Sequence, residues 1–434
     1  MYHEKERRTD EYGLGACIET AGHMTLEAIT KSITHGRITE LIEGLVAIPS
    51  VTGNERALGD MLHGFFGEIG LAGTHRIPVE ESGDTLAVRI PGRDNGNGPG
   101  NRNGRGNGND RDKGNGRAFM LNFHQDTFDA CDGWETDPWS PVVRDGCMHG
   151  LGAHDMKAGA AAVLAAVEAI VRSGTELAGD LIVSATTDEE NWSRGAHALI
   201  DSGLLGGCEG CLIPEPTPPG RLRIGSRGRH VIKIDLAGRT AHAAYTGEGV
   251  NAVHDAAKII TALDRIELGW NEEFELGGTI CVIEISGGRN IILVPEHAQV
   301  VLDRHILPGQ SIDEAVEDIE ALIRSLSIAS EWRVTWDDRP TPAPAPYIVD
   351  PGSKFVQATR KRVEEQLGRP VRYALARSVA DTNHFAVTGG IPTLVYGPEG
   401  GNTCQANEFV SIESTLRVAR AYCGIVIDML GVAR

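Results

Sequence analysis

Four short stretches carry the residue types best suited to chemistry, and each follows an apolar run. "FHQDTFD" holds His124 and Asp126, "GLGAHDMKAG" holds Asp155, "TTDEENW" holds adjacent Glu189 and Glu190, and "IPEPT" holds Glu215. Singly, each has an ordinary explanation. A lone histidine after a strand is more often structural than a ligand, an aspartate before a helix is a common N-cap, and an acidic pair in a loop is usually solvated. Together they are harder to dismiss. Carboxylates gathered at one place repel strongly unless cations neutralise them, and imidazole with carboxylate suits zinc, manganese or cobalt. The pattern therefore points to a divalent-metal site. A fifth stretch, "GPEGGNTCQANEF", places Cys404 four residues ahead of Glu408 in a Gly/Asn-rich loop, where packing seldom calls for a thiol.

These groups meet only if the surrounding elements bring them together. "AFMLNF", "LIVSAT" and "CLIPE" read as short strands separated by helical stretches, of which "KAGAAAVLAAVEAIV" is the clearest. That alternation predicts an α/β sheet covered on both faces, with functional groups at the C-terminal ends of its strands. A helix is expected from Arg37, where Ile38, Leu41, Ile42, Leu45 and Val46 share one face, ending before Pro49. "TLAVRIPG" reads as a strand. Residues 92–117 hold almost no apolar side chain and are expected to form a disordered surface loop. From about 220 to 338 the order becomes β-α-β-β-α-β, the ferredoxin-like pattern: "HVIKIDL", "NAVHDAAKIITALDRI", "TICVIEI", "AQVVLDRHI", "SIDEAVEDIEALIRSL" and "WRVTW". The expected organisation is an N-terminal arm (1–36) and a mixed-sheet α/β catalytic domain (37–219 and 339–434). Into it is inserted a ferredoxin-like α+β lid and dimerisation domain (220–338).

Composition narrows the function. A formal net charge of −19 and a pI near 5.2 exclude a nucleic-acid partner, which needs a basic surface. No apolar run is long enough to span a membrane, and the N-terminus lacks the apolar region of a secretory signal. Eight scattered cysteines do not form a disulfide framework. "CEGC" (Cys208 to Cys211) has the spacing of half a zinc site, but no second CxxC completes it, so it reads as small residues beside a buried strand. A cytoplasmic protein with reduced thiols is expected.

The motifs "HQD…GLGAHDMK…DEE…EPT", with "GRTAHAAY", "VPEHAQVVLDRHILPG" and "GIPTLVYGPEG", resemble the M20 metallopeptidase/aminoacylase family, in family order from about residue 38 onward. That family includes acetylornithine deacetylases, succinyl-diaminopimelate desuccinylases and carboxypeptidase G-type enzymes. The resemblance implies a two-metal site in the α/β domain beneath a lid that often dimerises. It implies that His124 and Glu215 hold one metal, that Asp155 bridges to a second held by Glu190, and that Glu189 is the general base. Asp126 suits a supporting role, accepting the other imidazole N–H of His124. His242 of "GRTAHAAY" matches the histidine that reaches the neighbouring subunit's site to polarise the oxyanion. Arg304 is a candidate for gripping a substrate carboxylate in bidentate fashion, with a strand salt bridge as the equal alternative. The family's lid asparagine falls at Ile292 here, with Asn290 two residues earlier.

One position departs from the family. The histidine expected four residues before the Glu-aromatic pair is Cys404, while Glu408 and Phe409 remain. Thiolate binds zinc well, so Cys404 is a candidate ligand of a modified second site; alternatively a single metal is held by His124, Asp155 and Glu215. The expected function is a divalent-metal hydrolase cleaving a C–N bond in a small carboxylate-bearing substrate, most simply an N-acyl amino acid. The alternatives are an aminohydrolase of an amino-substituted aromatic acid such as 5-nitroanthranilate, and a non-catalytic small-molecule binder. Zinc, manganese or cobalt, one or two ions per chain, and a homodimer or higher homo-oligomer through the lid complete the expectation.

Overall fold

The computed structural model describes residues 25–93, 116–288 and 291–433. Its centre is a nine-stranded mixed sheet. Ala118–His124 lies in the sheet interior, parallel to Asp180–Thr186 on one side and to Cys208–Ile213 on the other. Thr393–Val395 continues the parallel run beside Cys208–Ile213, and Arg221–Ser226 follows it in antiparallel register. Every residue of Ala118–His124 and Asp180–Thr186 is buried, as expected of strands covered on both faces. Three parallel strands deliver their C-terminal ends to one edge of the sheet. The segments bearing Asp126, Glu189, Glu190 and Glu215 start there.

The helix Ala158–Arg172 packs against Ile412–Leu430 and the sheet. It is apolar on nearly every side, the signature of a fully buried helix. Its small residues allow close approach: a Cβ at Gly159 would lie 2.4 Å from the carbonyl oxygen of Pro214, immediately before Glu215. Gly397 presses on the same segment, where a Cβ would lie 2.2 Å from the Pro214 oxygen and 2.3 Å from that of Glu215.

The second sheet has four strands in the order Thr279–Gly287, His297–Ile306, Gly228–Ala237, Glu331–Trp336, all antiparallel. Ala252–Ala262 and Ile312–Ser325 pack on it around a core of its own, which includes Ile232, Ile234, Val300 and Leu302. This is the expected ferredoxin-like unit. Its start differs from the sequence boundary at 220, because Arg221–Ser226 belongs to the large sheet, paired with Tyr347–Ile348 and Arg372–Ala376. The first strand of the small sheet is Gly228–Ala237. Neither the latter pair of strands nor the helix Lys354–Leu367 was legible as part of the α/β pattern; both partner strands are short and pair only with residues far away in sequence.

The helix expected from Arg37 runs His35–Val46, capped by the Thr34 side chain, and Leu26–Ser32 precedes it. The rest of the expected arm and most of the Gly/Asn-rich loop (94–115) lie outside the described residues. Among the described residues no helix is long and apolar enough to cross a membrane.

Replacing Gly397 with Ala should cost about 1–3 kcal/mol through overpacking and lower metal content, because the displaced carbonyls belong to Glu215 and its neighbour. Urea denaturation with metal analysis checks both; an unchanged midpoint and full metal content would contradict the close packing.

Candidate metal centre

His124 closes its strand with the ring pointing into an acidic cluster. Its Nε2 lies 3.3 Å from Asp155 Oδ1, 3.7 Å from Glu215 Oε1 and 4.0 Å from Glu189 Oε2. Its Nδ1 lies 2.9 Å from the main-chain oxygen of Asp126. That contact makes Nδ1 the protonated nitrogen and leaves the Nε2 lone pair for a ligand. The sequence reading gave the ring contact to the Asp126 carboxylate, which is farther off at 3.6 Å. That carboxylate is engaged elsewhere. It accepts the backbone N–H groups of Glu189 and Glu190 at 3.1 Å each and the Thr52 hydroxyl at 2.9 Å, so Asp126 sets the position of the acidic pair.

Asp155 sits in the irregular turn ahead of the buried helix, and its peptide bond to Met156 is cis. Glu408 holds this turn by accepting the N–H groups of Gly152, His154 and Asp155 at 3.0, 2.7 and 2.9 Å. His154 ties the turn to the Cys404 loop through Thr403 Oγ1 at 2.8 Å and the Pro398 oxygen at 3.2 Å. Cys404, in a left-handed conformation at φ 57°, points its Sγ to 3.7 Å from Asp155 Oδ2. Three groups of potential ligand atoms result, each within 4.8 Å of one another: His124, Asp155 and Glu215; His124, Glu189 and Glu190; Asp155, Glu190 and Cys404. Asp155 is shared between the first and third.

The electrostatics fit cations in this cluster. Burial, and then Asp155, push Glu215 up to about 8. Burial first and neighbouring carboxylates second hold Glu189 and Glu190 well above the usual range. Burial also opposes charge on His124, yet Asp155, Glu215 and Glu189 together raise its pKa well above normal. Burial raises the Cys404 thiol, and Asp155, Glu190 and Glu408 raise it further. Glu190 Oε1 is buried without a hydrogen-bond partner in the described structure. Oxygen, imidazole and sulfur donors packed this closely, with carboxylates that would otherwise hold protons, suit one or two divalent ions.

Not every expected residue stands here. His242 caps a turn on the lid surface, accepting the Ala244 N–H. Arg304 is fully buried on the helix-covered face of the lid sheet, its Nη1 donating to the main-chain oxygens of Thr279 and His305. The alternative of a strand salt bridge is not observed for it among the described residues. Asn290 lies outside the described residues. The structure adds Asp381, fully buried beside Thr186 and Ser193 with neither oxygen in a well-formed hydrogen bond, and raised to about 6 by burial. Its only sequence signal was its place shortly after "RYALA", a strand too brief to stand out.

An imidazole among buried carboxylates at the edge of a mixed sheet, joined to a ferredoxin-like lid, is the equipment of a metal-dependent hydrolase. The pattern of Peptidase family M20/M25/M40 matches residues 120–428, and the chain belongs to that family. It is 26% identical over 402 residues to a succinyl-diaminopimelate desuccinylase of Methylobacterium radiotolerans, covering 89% of this chain and 95% of that protein. Its fold matches a tripeptidase of Staphylococcus aureus with a TM-score of 0.73 at 21% identity, covering 91% and 99% of the two chains. It also matches a dinuclear metal binding peptidase of the M20 family from Bacillus subtilis, with a TM-score of 0.68 at 13% identity over 93% and 100%. The chain is thus a metal-dependent hydrolase acting on C–N bonds.

Because ligands must be deprotonated to bind metal, affinity for Zn²⁺ or Mn²⁺ should rise with pH up to about 8, where Glu215 loses its proton. Calorimetry in buffers of differing ionisation enthalpy should show protons released on binding. A pH-independent affinity without proton release would exclude this ligand set.

Proposed function

We propose that this chain hydrolyses the C–N bond of a small carboxylate-bearing substrate, most simply an N-acyl amino acid, with Glu189 as general base. The observation that carries this reading is the position of Glu189. Its carboxylate stands 4.0 Å from His124 Nε2, its backbone is pinned by Asp126, and it lines a cleft of about 720 Å³. His124, Asp155 and Glu215 would hold one ion; Asp155, Glu190 and Cys404 would hold a second. A divalent ion there supplies Lewis acidity and brings the pKa of a water towards about 7. Glu189 then takes the proton of the attacking water at a carboxylate oxygen and delivers it to the departing nitrogen. A base whose pKa is raised by burial is suited to both halves of that transfer.

His242 acts, in this reading, on the partner's site in a homodimer formed through the lid. The exposed edge strand Thr279–Gly287, with Ile283 and Ile285 facing outward, supports such pairing. A second reading, hydrolysis of an amino-substituted aromatic acid, draws support from Phe128 and Phe274 in the cleft and from the thiol in place of imidazole. In that case Glu189 activates water for attack on a ring carbon.

Glu189→Gln should lower kcat by at least ~100-fold, the usual range for a lost acid–base group, while metal content by elemental analysis stays at the wild-type level. Undiminished turnover would remove Glu189 from the role of base. Cys404→His should change the number of ions bound or the preference between N-acyl amino acids and aminobenzoates; if neither moves, Cys404 is no ligand.

A further inference from the structure

The strand Arg221–Ser226 alternates strictly at its start: Leu222 and Ile224 are fully buried in the main core, while Arg221 and Arg223 face the cleft. Arg223 is the better placed. It pairs with Val395 on one side and Ala374 on the other, and both also line the cleft. Val395 in turn pairs with Ile213, two residues before Glu215, so Arg223 lies two strand spacings, roughly 10 Å, from the strand that presents Glu215. Among the described residues the guanidinium of Arg223 makes no hydrogen bond or close ion pair. A partly buried guanidinium left unpaired is costly, and burial pulls its pKa below the ordinary value against the opposing carboxylates of Glu215 and Asp155, with Arg377 adding less. Glu215 and Asp155 act on it only beyond ion-pair distance.

We propose that Arg223, flanked by Arg221 and Arg377, is the carboxylate anchor of the substrate. The proposal rests on the reading of the substrate as carboxylate-bearing and moves that role from Arg304 to the floor of the cleft. The physical logic is orientation. An acidic floor alone repels an anion, whereas a cationic strand beside it draws the carboxylate to one end and leaves the scissile bond over the metal ligands. A guanidinium held on the sheet binds carboxylate in bidentate fashion with little entropy left to lose. Arg304, fully buried and donating to main-chain oxygens, is not free to do this.

The test uses two probe pairs, N-acetyl-L-leucine with its carboxamide and benzoate with benzamide. Binding is measured by calorimetry or ligand-observed NMR on the full chain, with and without added Zn²⁺. The wild type should prefer the carboxylate of at least one pair. Arg223→Gln should weaken carboxylate binding at least tenfold and leave the amide unchanged, Arg223→Lys should fall between, and Arg304→Gln should have little effect. Equal carboxylate affinity in Arg223→Gln and wild type, loss confined to Arg304→Gln, or no carboxylate preference in the wild type would each overturn the proposal. The catalytic reading fails separately: Glu189→Gln should keep the Arg223-dependent binding while losing turnover, so a base misassigned to Glu189 shows as activity retained beside an intact binding difference.

Discussion

Several carboxylates buried within a few ångströms of one another must be compensated, and the rest of this structure is organised around that requirement. Asp155, Glu189, Glu190 and Glu215 surround His124 at the mouth of three parallel strands. Left alone, such groups hold protons, which is the sense of the upward shifts at Glu189, Glu190 and Glu215. The fold spends much of its local hydrogen bonding on holding the cluster in place. Asp126 fixes the acidic pair by its two backbone N–H groups, and Glu408 fixes Asp155 by three. The backbone around Asp155, Glu189 and Glu190 is anchored by the carboxylates of Asp126 and Glu408 rather than by their own.

Packing serves the same end. The buried helix that follows Asp155 meets the segment that precedes Glu215 through Gly159, and Gly397 closes on that segment with no room for a side chain. Asp155 and Glu215, from distant parts of the chain, are therefore coupled through backbone contact, which transmits displacement with little give. The Cys404 loop is joined to the Asp155 turn by His154. The thiol is thus presented to Asp155 by a loop tied to the same turn.

The lid obeys a different logic. It has its own core and its own sheet, and among the described residues the groups expected to serve the site from it either lie on its surface, as His242 does, or inside it, as Arg304 does. The arginines that line the cleft, Arg221 and Arg223, come instead from the large sheet, on a strand that the sequence had assigned to the lid.

The sequence by itself determined the acidic and imidazole groups that meet here, their order along the chain and the two folding patterns. These are local properties: an acidic motif just past an apolar run, or an alternation of period two or 3.6, is visible within a dozen residues. It also marked Cys404, because the neighbouring Glu408 and Phe409 kept the frame. Only the tertiary structure decided which strand Arg221–Ser226 would join, since its pairing to Arg372–Ala376 and Thr393–Val395 spans some 150 residues or more and short strands carry little periodicity of their own. The same holds for Asp381, for the orientation of Arg223, and for the exchange of roles at Asp126. Each depends on which atoms the folded chain places within hydrogen-bond reach, and sequence spacing does not encode that.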